Sequence, residues 1–177
     1  MSAQQPDVEA REAIGPEQRA EIDRWIAKYP PDQRQSAVMA ALRIVQEAHG
    51  GWLTVELMDA VADYLGMPRI AVYEVATFYS MYEHRPVGRH KICVCNSISC
   101  LLNGSGRLLE YLRERLGVEA GEVTPDGRFS FKKVECLGAC VGAPVVMVGK
   151  TYHEGLDPDG LGRLLDALGE DGEEGGV

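Results

Sequence analysis

The sequence predicts an α+β protein: an N-terminal helical bundle followed by an α/β domain with a mixed sheet. Up to Pro86-Val87-Gly88 the apolar residues recur at helical spacing. Beyond that point β-branched, alternating runs interleave with helical stretches in the order β, α, β, β, α. Size agrees, since 177 residues with 45% hydrophobic and 25% charged can bury one substantial core or two small ones. The expected divisions are a polar arm over 1–14, a helical region over 15–85, the α/β domain over 86–169, and an acidic, glycine-rich tail over 170–177.

In the helical region, Pro16 marks a helix start, Ile22, Trp25, Ile26 and Tyr29 share a face, and Pro30 stops the run. Val38, Ala41, Leu42 and Val45 form a second apolar face that ends at Gly50-Gly51. Thr54 is the expected N-cap of a third helix, with Leu57, Val61, Tyr64 and Leu65 as its stripe and Gly66 as its C-cap. Pro68 opens a fourth, with Val72, Val75 and Ala76 inward. These stripes read as core, because none carries a cluster of ligands or titratable groups.

In the α/β domain GRHKICVCN reads as a strand and LLNGSGRLLEYLRERLGV as a helix with Leu108, Leu109, Leu112 and Leu116 on one face. FSFKKVEC is a strand after the turn VTPDGRF, and PVVMVGKTYHEG is a pair of strands about Gly149-Lys150. Asp157 caps a last helix that Pro158 begins, with Leu161, Leu164, Leu165 and Leu168 inward. This arrangement places both cysteine clusters in loops directly after strands.

Charge and hydropathy narrow the function. A net charge of -9 and a pI near 4.9 argue against nucleic-acid binding, which needs a basic face. No run approaches the roughly 18 apolar residues of a spanning helix, and MSAQQPDVEAREA is unlike a signal or transit peptide, so the expected location is the cytoplasm. Clustered cysteines in a reducing compartment are more often metal ligands or redox thiols than disulfides. Glycines in GVEAGEV and LNGSGRLLE lack the strand-to-helix context of a dinucleotide fingerprint.

Four of the five cysteines fall in two clusters, CNSISC from Cys95 to Cys100 and CLGAC from Cys136 to Cys140. Structural zinc favours C-x2-C knuckles and thioredoxin-type chemistry wants C-x-x-C at a helix start; neither is present. A 2Fe-2S cluster offers two irons that each take two thiolates, so wider C-x4-C and C-x3-C loops can wrap it. Gly138, Ala139, Gly142 and Ala143 keep side chains small around Cys140, which lets backbone N–H groups approach sulfur. Asn96, Ser97 and Ser99 either add side-chain hydrogen bonds or simply make a turn. No histidine lies within either cluster; His90 reads as a strand surface residue, and His49, His84 and His153 are less suggestive still. Cys93 and Cys95 point the same way from one strand, so Cys93 is either a rival ligand or a small thiol packed on the sheet.

On CNSISC and ECLGACVGAP, supported by EVATFYSMY at 74–82 and VTPDGRFSFKKVECLG at 123–138, the sequence resembles the thioredoxin-like 2Fe-2S family. That family supplies the E subunit of bacterial NADH:quinone oxidoreductase, respiratory complex I. The similarity runs over about 16–168. It implies one 2Fe-2S cluster bound by Cys95, Cys100, Cys136 and Cys140, with Cys93 not required. It further implies a thioredoxin-like C-terminal domain docked on the FMN- and NADH-binding flavoprotein subunit, beside another iron-sulfur subunit, in a peripheral arm on the cytoplasmic face. The chain would then be a one-electron carrier within an oxidoreductase, with no NADH or quinone site of its own. Related modules serve soluble NAD-linked hydrogenases and formate dehydrogenases. Two readings of other classes stand beside it: a structural adapter holding zinc or no metal, and a thiol-disulfide enzyme.

Overall fold

The computed structural model describes residues 13–170 and divides between Pro86 and Val87 into two compact units. In the first, helix α1 (Pro16–Ile26) starts with proline in its first turn, where the missing N–H costs nothing, and buries Ile22. A 3-10 segment (Pro31–Ala37) leads into α2 (Val38–Ala48), which buries Val38, Ala41, Leu42, Ile44 and Val45. Helix α3 (Val55–Leu65) is capped as the sequence predicts: Thr54 Oγ1 accepts the Leu57 N–H at 3.2 Å, and Gly66 closes it at φ 69°. Helix α4 (Arg69–Phe78) follows Pro68 and turns Val72 and Ala76 inward.

These faces meet in one apolar core that also takes in Leu53, Leu57, Val61 and Leu65. The segment after α4 is held to α2 by polar contacts. Tyr82 donates its hydroxyl to the Met39 carbonyl at 2.8 Å. Gln46, buried on α2, donates to the Met81 carbonyl at 3.2 Å and accepts the Glu83 N–H at 2.7 Å, so the amide is satisfied at both ends. Ile14 corrects the expected arm, because it is 2% exposed and belongs to this core. Ala13 packs against the same core, and residues 1–12 and the tail beyond Glu170 lie outside the described residues.

The second unit is built on a four-stranded mixed sheet of order β2-β1-β3-β4. Strands β1 (His90–Cys95) and β2 (Phe129–Val134) run parallel, while β3 (Val145–Val148) pairs antiparallel with β1 and with β4 (Thr151–Glu154). Strand alternation sends Ile92 and Val94 to one face, where Leu108 and Leu112 of α6 (Ser105–Leu116) and Leu161 and Leu165 of α7 (Pro158–Glu170) complete a core. Just before β1, Gly88 lets the chain pass close against β2, since a Cβ there would stand 2.3 Å from the Phe129 carbonyl carbon. Asp157 caps α7 by accepting the Gly160 N–H at 2.7 Å.

One element departs from the sequence expectation. The long helix predicted through LLNGSG is two helices, α5 (Ile98–Leu102) and α6, broken at Asn103-Gly104. Gly104 takes φ 95° and the Asn103 side-chain amide donates back to the Ser99 carbonyl at 2.7 Å, which ends the first turn of helix. Cys100 therefore sits on a helix and not in a loop. Cys95, likewise, is the last residue of β1 rather than part of the loop after it.

Candidate metal centre

Parallel pairing of β1 and β2 explains why two motifs far apart in sequence meet. Cys95 pairs in register with Val134, so both strands release their cysteine-bearing segments at the same end of the sheet. Cys95 and Cys100 are each 1% exposed and pack with Val145, lined by Leu137, Ala139 and Ala143. Cys136, just after β2, and Cys140, which opens a short 3-10 turn (Cys140–Gly142), are exposed. Their sulfurs stand 3.7 Å apart. Cys95 and Cys100 share a hydrogen bond, and Cys140 interacts electrostatically with both. The four thiols form one group, half buried and half open, and none of the five cysteines is in a disulfide.

Backbone donors converge on this group. The Gly138 N–H reaches Cys136 Sγ at 3.4 Å, the Ser97 and Leu137 N–H groups reach Cys95, and the Val145 N–H reaches Cys100. Burial pushes the Cys95 thiol up, but the Ser97 and Leu137 donors, together with the Cys100 thiol, outweigh it and hold Cys95 below the ordinary thiol range. Burial pushes Cys100 up, and its bond to Cys95 pushes it further. The two thiols of the buried pair are thus pushed in opposite directions, Cys95 down and Cys100 up. Cys140 is raised chiefly by its hydrogen bond with Cys136.

This donor set suits an anionic cluster with thiolate ligands, because N–H groups aimed at sulfur compensate negative charge. Among the described residues, no three His, Cys, Asp or Glu side chains close tightly enough to hold a single ion. Of the residues singled out from sequence, Gly138 has the expected role, at φ 83° with its N–H on sulfur. Gly142 is small for another reason: a Cβ there would collide with Glu154 of β4. Ser97 contributes its backbone and not its hydroxyl, and the Asn96 carboxamide oxygen accepts from Ser105 at 3.5 Å.

Cys93, 2% exposed, lies about 7 Å back along β1 from Cys95 by strand geometry, opposite Lys132 and Met147. His90 rests its ring 5.5 Å from Phe129 at the far end of β1, while His49 and His84 bond the carbonyls of Val45 and Ala76. Sequence reasoning did not single out Val145, whose N–H serves Cys100, or Tyr152, whose hydroxyl donates to the Leu137 carbonyl at 2.9 Å. Both approach from the paired strands β3 and β4, a contact that only the folded sheet creates.

Known proteins resemble this chain in sequence and in fold. The chain is 44% identical over 146 residues to the NADH-quinone oxidoreductase E subunit of Rickettsia bellii, covering 82% of this chain and 87% of that one. It is 46% identical over 150 residues to an NADH-quinone oxidoreductase E subunit of Rhizobium meliloti, covering 85% and 88%. Its fold is similar to that of a crystallised NAD+-reducing NiFe hydrogenase, with a TM-score of 0.64 and 20% identity, over 75% of this chain but only 22% of the hydrogenase chain. Residues 22–169 match the thioredoxin-like 2Fe-2S ferredoxin family. The chain belongs to that thioredoxin-like 2Fe-2S ferredoxin family.

Proposed function

We propose that the chain is the E-type electron-carrier subunit of an NADH:quinone oxidoreductase, holding one 2Fe-2S cluster on Cys95, Cys100, Cys136 and Cys140. The observation that carries the ligand assignment is the convergence of these four thiols, with backbone donors, at one end of the sheet. When bound, the cluster supplies a site that takes up and returns one electron. The protein contributes the surroundings. Val145, Leu137, Ala139 and Ala143 shield the Cys95 and Cys100 side from water, and the N–H groups on sulfur favour the more negative state. Exposed Cys136 and Cys140 leave the other side open for close approach by a redox partner.

That partner is the FMN- and NADH-binding flavoprotein subunit, with another iron-sulfur subunit nearby, in a peripheral arm on the cytoplasmic face. Homology to the E subunits of Rickettsia bellii and Rhizobium meliloti supports membership of such a complex. No helix among the described residues is long and apolar enough to cross a membrane. A soluble hydrogenase host has only a fold similarity in its favour. Metal analysis of anaerobically purified protein tests the assignment: two irons per chain with visible absorption support it, whereas a colourless chain with one zinc moves the function to a structural adapter.

A further inference from the structure

The loop that carries Cys136 is tied to the sheet at a point that cysteine spacing does not predict. Tyr152 lies on the edge strand β4, opposite Met147, and its phenol donates to the Leu137 carbonyl oxygen at 2.9 Å. That carbonyl belongs to the same peptide plane as the Gly138 N–H, which donates to Cys136 Sγ at 3.4 Å. The result is one continuous chain, from phenol O–H to carbonyl and from the same amide's N–H to sulfur. A donor on the carbonyl draws charge through the resonant peptide and makes its N–H a stronger donor in turn.

Packing does not account for this tyrosine. Its residue is 48% exposed, and the strand around it is mostly exposed as well. The neighbouring peptide adds to the significance of the tie, because the Leu137 N–H serves Cys95. Holding Leu137 therefore sets the aim of two amides toward two different sulfurs. Gly138, at φ 83°, gives the loop the left-handed turn that brings its N–H back onto Cys136.

We propose that Tyr152 is a positioning residue for the metal centre: it orients and polarises the Leu137-Gly138 peptide, strengthens the N–H bond to Cys136 sulfur, and so raises the cluster's reduction potential. The direction follows because reduction adds negative charge, which stronger donors stabilise. This inference rests on the four cysteines being the ligands.

Redox titration of the full chain, followed by electron paramagnetic resonance and paired with iron analysis, tests it. Tyr152→Phe keeps the ring and removes the donor. The expected result is wild-type iron content with the midpoint potential lowered by up to ~59 mV, a tenfold change in a one-electron equilibrium. Thr151→Val, on the same strand, leaves the potential at the wild-type value. A ring-fluorinated tyrosine at position 152, a stronger donor, moves it upward. If the phenylalanine variant fails to keep its cluster, the fluorinated variant decides alone. Full iron with wild-type potential in the phenylalanine variant, or in the fluorinated variant where it decides alone, overturns the role of Tyr152 and leaves the ligand assignment standing. A wild-type chain that binds no iron overturns both.

Discussion

At the residue scale, the four proposed ligands divide by surroundings. Cys95 and Cys100 sit in a small apolar pocket, while Cys136 and Cys140 hang on an exposed loop. Cys136→Ser or Cys140→Ser is expected to lose most bound iron, since an exposed loop gains its local order from the metal it holds. Wild-type iron content in either variant, measured on freshly purified protein, contradicts the assignment. Cys93→Ala is expected to leave the visible spectrum and iron content unchanged, because Cys93 lies farther along β1 than the sulfur group. A vanished spectrum would make Cys93 a ligand. Which four thiols come together was legible in the spacing and the resemblance. The hydrogen-bond donors were only partly so: Gly138 was readable from its neighbours, whereas Ser97 acts through its N–H, which every residue but proline carries.

At the element scale, the legible parts were those with a local chemical signal. Thr54, Gly66 and Asp157 cap their helices as their residue types predict. Thr54→Ala is expected to cost about 1 kcal/mol, read as a lowered denaturant midpoint. The break between α5 and α6 was not legible, because Leu101, Leu102 and the leucines beyond Gly104 continue a helical pattern and a single glycine is tolerated within a helix. Contacts across elements were also hidden. Tyr82 is an example: burial pushes its phenol up to about 12, against an ordinary value of 10.0. Its neutral form is the one that donates to Met39. A raised folded-state value means that its contribution to stability is complete below about pH 10 and is lost as pH climbs toward 12. In Tyr82→Phe that part of the alkaline loss of stability is expected to disappear, which denaturant titrations at pH 9 and about 11.5 would resolve; an unchanged pH dependence would contradict it.

At the scale of the whole molecule, the sequence pattern separated a helical unit from a sheet-based unit at the Pro86-Val87 step, because the hydrophobic period changes there. It did not separate core from exposed apolar residues. Phe78, Ile98 and Leu102 continue apolar stripes yet are 82%, 79% and 81% exposed. Periodicity reports which face is apolar, not what covers it. Parallel pairing of β1 with β2 is the topological fact on which the site depends, since it alone brings residues 95–100 and 136–140 to one end of the sheet. The central claim, a one-electron centre built there, is tested most directly by the electron paramagnetic resonance spectrum of the anaerobically purified full chain before and after dithionite. A silent oxidised sample that gains a rhombic or near-axial spin-half signal on reduction, with two irons per chain, is the predicted result. A sample silent in both states, with zinc or no metal bound, would contradict it.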